Sequence, residues 1–236
     1  MQKLQGFLSA NVLKIIALIT MTIDHIGYII YPSIVWLRVV GRVAYPLFAY
    51  FIAEGCRYTK NKTKYFCFMF ALGALCQVFA YFFGGQTHLN ILLTFSFSVL
   101  LIYCLQWVKK SLQNKNTKQS VLSILLFVFG VALTFFITGY LPTISNFGVD
   151  YGFFGIMIPV LVSIFDNRYL KLLFFFIGQV LLCVFGATMS IQWFCLFSCL
   201  LIFWYNGTRG KYKLKYLFYI YYPVHLAIIW LIAYFV

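Results

Sequence analysis

The sequence predicts an all-α, polytopic integral membrane protein, a bundle of about nine transmembrane helices. Of the 236 residues, 64% are hydrophobic and only 9% are charged, and the mean hydropathy is +0.93. A soluble domain needs roughly a quarter of its residues charged to solvate its surface. This composition therefore excludes an ordinary soluble protein. The apolar residues also come in runs of about twenty, which is the length of a helix that crosses a bilayer.

Short polar breaks divide the chain into successive apolar runs. We expect helices over residues 12–31, 34–56, 65–83, 91–108, 120–141, 151–165, 171–188, 190–204 and 217–236. The two halves of the chain show no repeat, and no composition shift marks a linker. Residues 1–236 are therefore expected to form a single transmembrane domain.

The basic residues fall at alternate ends of these runs. Fifteen of the 18 do so, namely Lys3, Arg57, Lys60, Lys62, Lys64, Lys109, Lys110, Lys115, Lys118, Arg168, Lys171, Arg209, Lys211, Lys213 and Lys215. The opposite connections, near Pro32 and at 84–90, 142–150 and 189, contain no Lys or Arg. Because positive charge marks cytoplasmic loops, we expect the N-terminus in the cytoplasm and the C-terminus outside. The net charge of +14 is spread along loops, which does not indicate a nucleic-acid partner.

Ionisable residues inside the predicted membrane concentrate in the first two helices. They are Lys14, Asp24, His25, Arg38, Arg42 and Glu54. Such groups cost several kcal/mol in a bilayer unless they are paired, so a cluster of them is a functional hypothesis by default. The alternative to a functional site is that these residues form salt bridges that only hold the first two helices together. That alternative does not account for His25.

Helix geometry predicts how these residues are arranged. Lys14 and His25 are eleven residues apart, so they share one stripe of a helix and lie about 16 Å apart along its axis. Asp24 points about 100° away from His25, so its partner must come from another helix. Arg38 and Arg42 are one turn apart and return to the same depth. We therefore expect an ion pair between Asp24 and an arginine.

Pro46, Glu54 and His225 lie within or near this cluster. Pro46 cannot bond to the carbonyl of Arg42 and leaves that oxygen available. Glu54 ends the second run, at the expected depth of Lys14. His225 follows Pro223 near the middle of the last run, where a structural and a functional role are equally expected.

The remaining polar residues favour no additional chemistry. Asp150 precedes the sixth run on the outer side and is expected to cap that helix. His88, in an outer loop, is expected to be solvated. The seven cysteines contain no CxxC pair, and the dispersed histidines and acids lack metal-ligand spacing, so no metal is predicted.

Blocks of sequence along most of the chain resemble the TraX family, whose namesake acetylates the N-terminus of a conjugative F-type pilin. The blocks are residues 13–17, 21–27, 37–38, 41–48, 53–55, 90–94, 150–152, 192–193, 205–211 and 222–225. The chain departs mildly from the pattern at Tyr45 and Tyr50, where phenylalanine is expected. The first block is also similar to membrane acyltransferases that modify surface sugars, in which an arginine precedes a catalytic histidine by eleven residues. Lys14 occupies that basic position here.

The resemblance implies transfer of an acyl group, acetyl favoured, from acetyl-coenzyme A by an enzyme of the bacterial cytoplasmic membrane. It implies His25 as general base, Arg38 or Arg42 as oxyanion stabiliser, and Asp24 as the residue that holds the arginine. Lys14 and Glu54 are then expected on the coenzyme side, with Tyr45, Asp150 and His225 as further candidates. A peptide or pilin amine is the favoured acceptor, and a glycan or a lipid head group stays open.

Two other function classes compete with this expectation. A proton-coupled transporter would use Asp24, His25, Glu54 and His225 as a relay, although inverted repeats that would support it are not found in the sequence. An assembly or anchoring protein without turnover is the third class.

Overall fold

The computed structural model describes residues 6–186, 190–212 and 214–235. Lys3, Lys213 and residues 187–189, which bear on the predicted topology, lie outside this described part. The α-helices in it are α1 (Ala10–Ile29), α2 (Val35–Gly41), α3 (Ala44–Tyr58), α4 (Lys62–Gly84), α5 (Ile91–Gln113), α6 (Thr117–Phe135), α7 (Leu141–Ile144), α8 (Gly152–Val162), α9 (Arg168–Leu181), α10 (Phe197–Phe203) and α11 (Lys215–Phe235).

Other regular structure is short. A π-helical turn joins α6 to α7 over Phe136–Tyr140, and another extends α9 over Leu182–Gly186. A 3₁₀-helix, Ser190–Leu196, leads into α10. Two strands of two residues each, β1 (His88–Leu89) and β2 (Gly148–Val149), pair in parallel. The all-α prediction is confirmed.

Six helical segments in the described residues are long and apolar enough to cross a membrane. They are Ala10–Ile29, Val35–Tyr58, Lys62–Phe82, Ile91–Gln113, Thr117–Ile144 and Arg168–Gly186. The other three predicted runs are also helical, but their apolar helices Gly152–Val162, Ser190–Phe203 and Tyr219–Phe235 are shorter. The structure thus bears out a polytopic membrane protein, and the count of nine crossings stays a prediction.

Side-chain caps fix where several helices begin. An oxygen of the residue before the helix accepts a hydrogen bond from a backbone N–H of the first turn at Ser9, Asn61, Asn90, Asn116 and Asn167. These bonds satisfy donors that a helix start would otherwise leave unpaired. Several helices therefore begin before the predicted bounds, in basic sequence, as in α4, which begins at Lys62 and not at residue 65.

The second run is broken rather than continuous. The α2 helix ends at Gly41 and α3 begins at Ala44, so Arg42 lies in the interruption. Pro46 is the third residue of α3, a position whose N–H has no partner within a helix. The break therefore falls beside the arginines, where the proline was expected to release a carbonyl.

The chain divides into two compact units. The first comprises Met1–Phe51 and Ala187–Val236, and the second comprises Ile52–Gly186. In the first unit, fully buried Leu13 and Leu47 belong to the core. In the second, α5 packs against α4, α6 and α8, and Phe175 is the largest fully buried side chain. The expectation of one domain stays a prediction.

Reporter fusions test the predicted sidedness of the loops. We expect cytoplasmic signals at 59–61, 114–116 and 206–211, and external signals at 85–88 and 145–147, because Lys and Arg are confined to the first group. Single cysteines at 86 and 115, in a variant without the native cysteines, should label with an impermeant reagent only from opposite sides. A cytoplasmic 85–88 loop contradicts the topology.

Candidate functional site

An ion-paired cluster joins α1 to α2 in the first unit. Arg38 Nη1 donates to Asp24 Oδ2 at 2.6 Å and to the Asp24 carbonyl oxygen at 3.2 Å. Arg42 Nη2 donates to the other carboxylate oxygen, Oδ1. The predicted pair between Asp24 and an arginine is confirmed, and both arginines take part. One carboxylate between two guanidiniums leaves the cluster with one net positive charge.

Arg42 is the more firmly held of the two arginines. Its Nε donates to the Arg38 carbonyl oxygen at 3.2 Å, and its Nη1 donates to Gln192 Oε1 at 3.3 Å. Its side chain is 10% exposed, against 20% for Arg38, whose guanidinium lies 4.9 Å from the ring centre of Tyr28. Arg38 is therefore the arginine with more access to a substrate.

Two glycines let α2 approach α1 closely enough to form these pairs. A Cβ atom at Gly27 would lie 2.6 Å from the Cβ of Leu37, and one at Gly41 would overlap the Asp24 side chain. Both positions therefore require glycine, since any side chain would push the helices apart. The close approach sets the short distance between Asp24 and the arginines.

Two histidines from opposite ends of the chain meet beside this cluster. His25 Nδ1 lies 2.9 Å from the Met21 carbonyl oxygen and 3.5 Å from His225 Nε2. The ring centres are 5.1 Å apart, with an angle of 72° between the planes. The charges of Asp24, Arg38 and Arg42 also act on His25. A titratable group thus lies next to a cluster of net positive charge.

Further contacts hold α11 and the loop before it against α1. The Thr22 hydroxyl donates to the Leu18 carbonyl oxygen at 2.9 Å, so its oxygen accepts the 2.7 Å hydrogen bond from the Tyr221 hydroxyl. Nearer the start of α1, Asn11 Nδ2 donates to the Tyr212 carbonyl oxygen at 2.6 Å. The contact between the two histidines is therefore one of three contacts that follow one another along the length of α1.

Lys14 lies toward the start of α1, where a basic loop covers the helix. The Lys14 ammonium is 5.2 Å from the ring centre of Phe51. The backbone N–H of Asn11 donates to the Arg209 carbonyl oxygen at 3.1 Å, and the Arg209 charge acts on Lys14. The loop thus gathers positive charge around the lysine.

Comparison with known proteins identifies the family. The family model described as TraX protein matches residues 9–233, nearly the whole chain. The chain belongs to the TraX family. It is 26% identical over 250 aligned positions to a protein of Dichelobacter nodosus named probable fimbrial assembly protein FimC, with 94% of each chain covered.

A second relative matches only a segment. The chain is 38% identical over 69 residues to an uncharacterized protein of Rickettsia prowazekii (strain Madrid E). That match covers 29% of this TraX-family chain and 26% of the Rickettsia protein, so the chain spans about a quarter of that relative. No solved structure matches the chain.

Glu54 forms a separate ion pair in the second unit of this TraX-family chain. Lys171 Nζ on α9 donates to Glu54 Oε1 on α3 at 2.5 Å, and both side chains are buried. Lys171 is the first residue of the predicted run 171–188, and it lies within α9, which begins three residues earlier, at Arg168. The pair gives Glu54 a structural role, and a role in coenzyme binding stays a prediction.

The structure also shows the positions of the residues that the sequence analysis considered weaker candidates. Tyr45 is buried in the first unit, and His88 is exposed, as expected. Asp150 is not the cap of α8; the residue at that position is Tyr151, in a left-handed conformation with φ of 61°. Among the described residues, no group of three or more His, Cys, Asp or Glu side chains could hold a metal ion.

Two residues of the site were not predicted from the sequence. Gln192 lies in one of the family blocks, but a neutral amide in an apolar run carries no charge that demands a partner. Tyr221 precedes another block by one residue and contacts Thr22 only through tertiary packing. A tyrosine in a run rich in aromatic residues gives no local signal that its hydroxyl has a specific partner. Long-range pairing, not local pattern, brings these residues to the site.

Proposed function

We propose that this protein is a membrane acyltransferase that moves an acyl group, acetyl favoured, from acyl-coenzyme A to an acceptor amine or hydroxyl. One observation carries the proposal: the His25 imidazole lies beside a cluster with one net positive charge, formed by Asp24, Arg38 and Arg42. A base next to fixed positive charge suits acyl transfer, which needs proton removal and stabilisation of an oxyanion.

The backbone hydrogen bond of His25 determines which of its two ring nitrogens carries the proton. A carbonyl oxygen only accepts, so the contact from Nδ1 to the Met21 oxygen requires the proton on Nδ1. In the neutral ring, Nε2 then carries the lone pair. Nε2 takes the proton from the acceptor as its nitrogen or oxygen attacks the thioester carbonyl.

The arginines act on the intermediate. The carbonyl oxygen of the thioester becomes an oxyanion, and Arg38, the more exposed guanidinium, stabilises it while Asp24 holds Arg38 in place. As the carbon–sulfur bond breaks, the imidazolium returns its proton to the thiolate of the coenzyme. The acyl group is then on the acceptor and His25 is neutral again, so protons balance over one turnover.

Lys14 suits the anionic part of the donor. It lies eleven residues before His25 on α1, about 16 Å along the helix axis. Arg209 adds positive charge nearby. The coenzyme phosphates bind at this end, its pantetheine arm follows α1, and the thioester reaches His25. We therefore propose that the donor binds at the cytoplasmic face of the bacterial cytoplasmic membrane.

The family supports a peptide amine as the acceptor. The relative in Dichelobacter nodosus is named a probable fimbrial assembly protein and aligns along 94% of both chains. We therefore favour a pilus-related protein acceptor for this chain, ahead of a glycan or a lipid head group.

A proton-coupled transporter is the second candidate, and the contact between His25 and His225 favours it, because paired histidines also relay protons. The other two members of that relay form ion pairs instead, Asp24 with both arginines and Glu54 with Lys171.

Radiolabel transfer separates the candidates. Membranes that contain the protein are incubated with acetyl-coenzyme A labelled in the acetyl group, and label in peptide, glycan and lipid fractions is measured. We expect label in a membrane acceptor only when the protein is present. Proton uptake by sealed vesicles without any label transfer contradicts an acyltransferase.

Removal of the Lys14 charge tests the donor path. In Lys14→Ala, we expect the KM for acetyl-coenzyme A to rise roughly tenfold with kcat nearly unchanged, the effect of one charge-assisted contact. High salt should reduce the difference in KM between Lys14→Ala and the wild type if the contact is exposed to solvent. Lys118→Ala removes an exposed charge in the second unit and serves as the control. An unchanged KM in Lys14→Ala contradicts this path.

A further inference from the structure

We infer that His225 is a positioning residue: its Nε2 accepts a hydrogen bond from His25 Nδ1–H and keeps His25 Nε2 directed at the acceptor. The catalytic meaning of this contact rests on the proposed acyltransferase function. The hydrogen-bond arrangement itself does not, and it can be tested without any substrate.

Both histidines use the same backbone contact. His225 Nδ1 lies 2.8 Å from the Tyr221 carbonyl oxygen, four residues earlier in α11, as His25 Nδ1 lies 2.9 Å from the Met21 oxygen in α1. Each carbonyl requires a proton on the facing Nδ1. In neutral His225, the lone pair is therefore on Nε2, the atom 3.5 Å from His25 Nδ1.

The proton on His25 Nδ1 is thus shared between two acceptors. The Met21 carbonyl oxygen is one, and His225 Nε2 is the longer of the two contacts. A protonated His225 would direct an N–H at the N–H of His25, which would repel it. The geometry therefore fits two neutral rings with the same tautomer.

The surroundings hold His225 in this orientation. Its ring is buried, stacks on Tyr221 at 5.2 Å between ring centres, and meets Tyr222 edge-on at 5.6 Å. The Tyr221 hydroxyl is in turn bonded to Thr22. The aromatic groups of α11 thus fix one ring, and that ring fixes the other.

The charged residues near the two histidines act on His25. Asp24 from α1, with Arg38 and Arg42 from the α2 region, act on His25, whereas Tyr221, Tyr222 and His25 are the titratable groups that contact His225. During turnover, Nε2 of His25 gains and returns the proton of the acceptor. The Nδ1 proton stays on His25, and His225 neither gains nor loses one.

Histidine tautomers can be read directly, because the chain has only three histidines. We propose nitrogen NMR of the full-length protein in detergent, labelled with ¹⁵N only in histidine, with His88→Gln used for assignment because His88 is exposed in the second unit. We expect His25 and His225 both neutral with the proton on Nδ1. An Nε2–H tautomer or an imidazolium at either residue overturns the proposal.

Matched substitutions test the effect on catalysis. Glutamine places an amide oxygen near the position of Nε2, whereas asparagine places its amide near Nδ1 and offers no acceptor toward His25. We expect His225→Asn to lower kcat roughly tenfold, the effect of one hydrogen bond, with the KM for acetyl-coenzyme A unchanged. His225→Gln should recover most of that loss.

The outcomes separate this proposal from the proposed function. Equal loss in His225→Gln and His225→Asn, or a change in KM alone, overturns positioning through Nε2. If the wild-type protein transfers no acyl group, the acyltransferase function fails, and the NMR result still decides the hydrogen-bond arrangement. If either variant fails to fold, the wild-type spectrum remains the deciding measurement.

Discussion

Replacement of His25 by alanine is expected to abolish acyl transfer while the protein still inserts and folds. A positioned general base contributes about 10²–10⁴-fold to rate, and Nε2 of His25 is the atom directed away from the backbone contact with Met21. The measurement is kcat with saturating acetyl-coenzyme A, together with the thermal unfolding midpoint in detergent.

His88→Ala is the matched control for this prediction. His88 is an exposed histidine in the second unit, so its loss should leave kcat within about twofold of wild type. Near wild-type turnover by His25→Ala would remove His25 from the mechanism, whatever the state of the rest of the site.

The second large effect is expected from Asp24→Asn. The substitution removes the carboxylate that two guanidiniums share and brings two positive charges together without it. Loss of one member of a buried ion pair typically costs about 3–5 kcal/mol of stability. We expect a lower unfolding midpoint and, in the fraction that folds, a much lower kcat because Arg38 is no longer held.

Asp166→Asn provides the comparison. Asp166 pairs with Arg57 at 3.3 Å, but the two side chains are 76% and 41% exposed, respectively. An exposed pair contributes about 0–1 kcal/mol, so this variant should unfold near the wild-type midpoint. Equal midpoints for the two variants would contradict the assignment of Asp24 as the centre of a buried cluster.

Local pattern was sufficient for the helices and for half of the site. In the described residues each apolar run is helical, and a pair between Asp24 and an arginine followed from helix periodicity and a tight turn. Boundaries were less predictable, because lysines such as Lys109 and Lys110 lie in the last turns of a helix, here α5. Sequence hydropathy assigns such residues to loops.

Contacts between distant segments were beyond local pattern. His225 is 200 residues from His25, and no periodicity within either helix indicates that they meet. Glu54 was expected on the coenzyme side because it ends the second run at the predicted depth of Lys14, and no local pattern indicates that Lys171 is its partner. The hydropathy of the second run is continuous across the break between Gly41 and Ala44 and gives no sign of it.

The three contacts that α1 makes with residues 212–225 determine the direction of α11 relative to α1. Asn11, Thr22 and His25 meet residues 212, 221 and 225 in the same order, so the two helices run in the same direction. If both helices cross the bilayer, the chain crosses it an even number of times before α11 starts. If the six long segments all cross, Gly152–Val162 and Ser190–Phe203 either both cross or both stay on one side. Seven or nine crossings satisfy this condition and eight do not, and in each permitted case the two ends of the chain lie on opposite sides of the membrane.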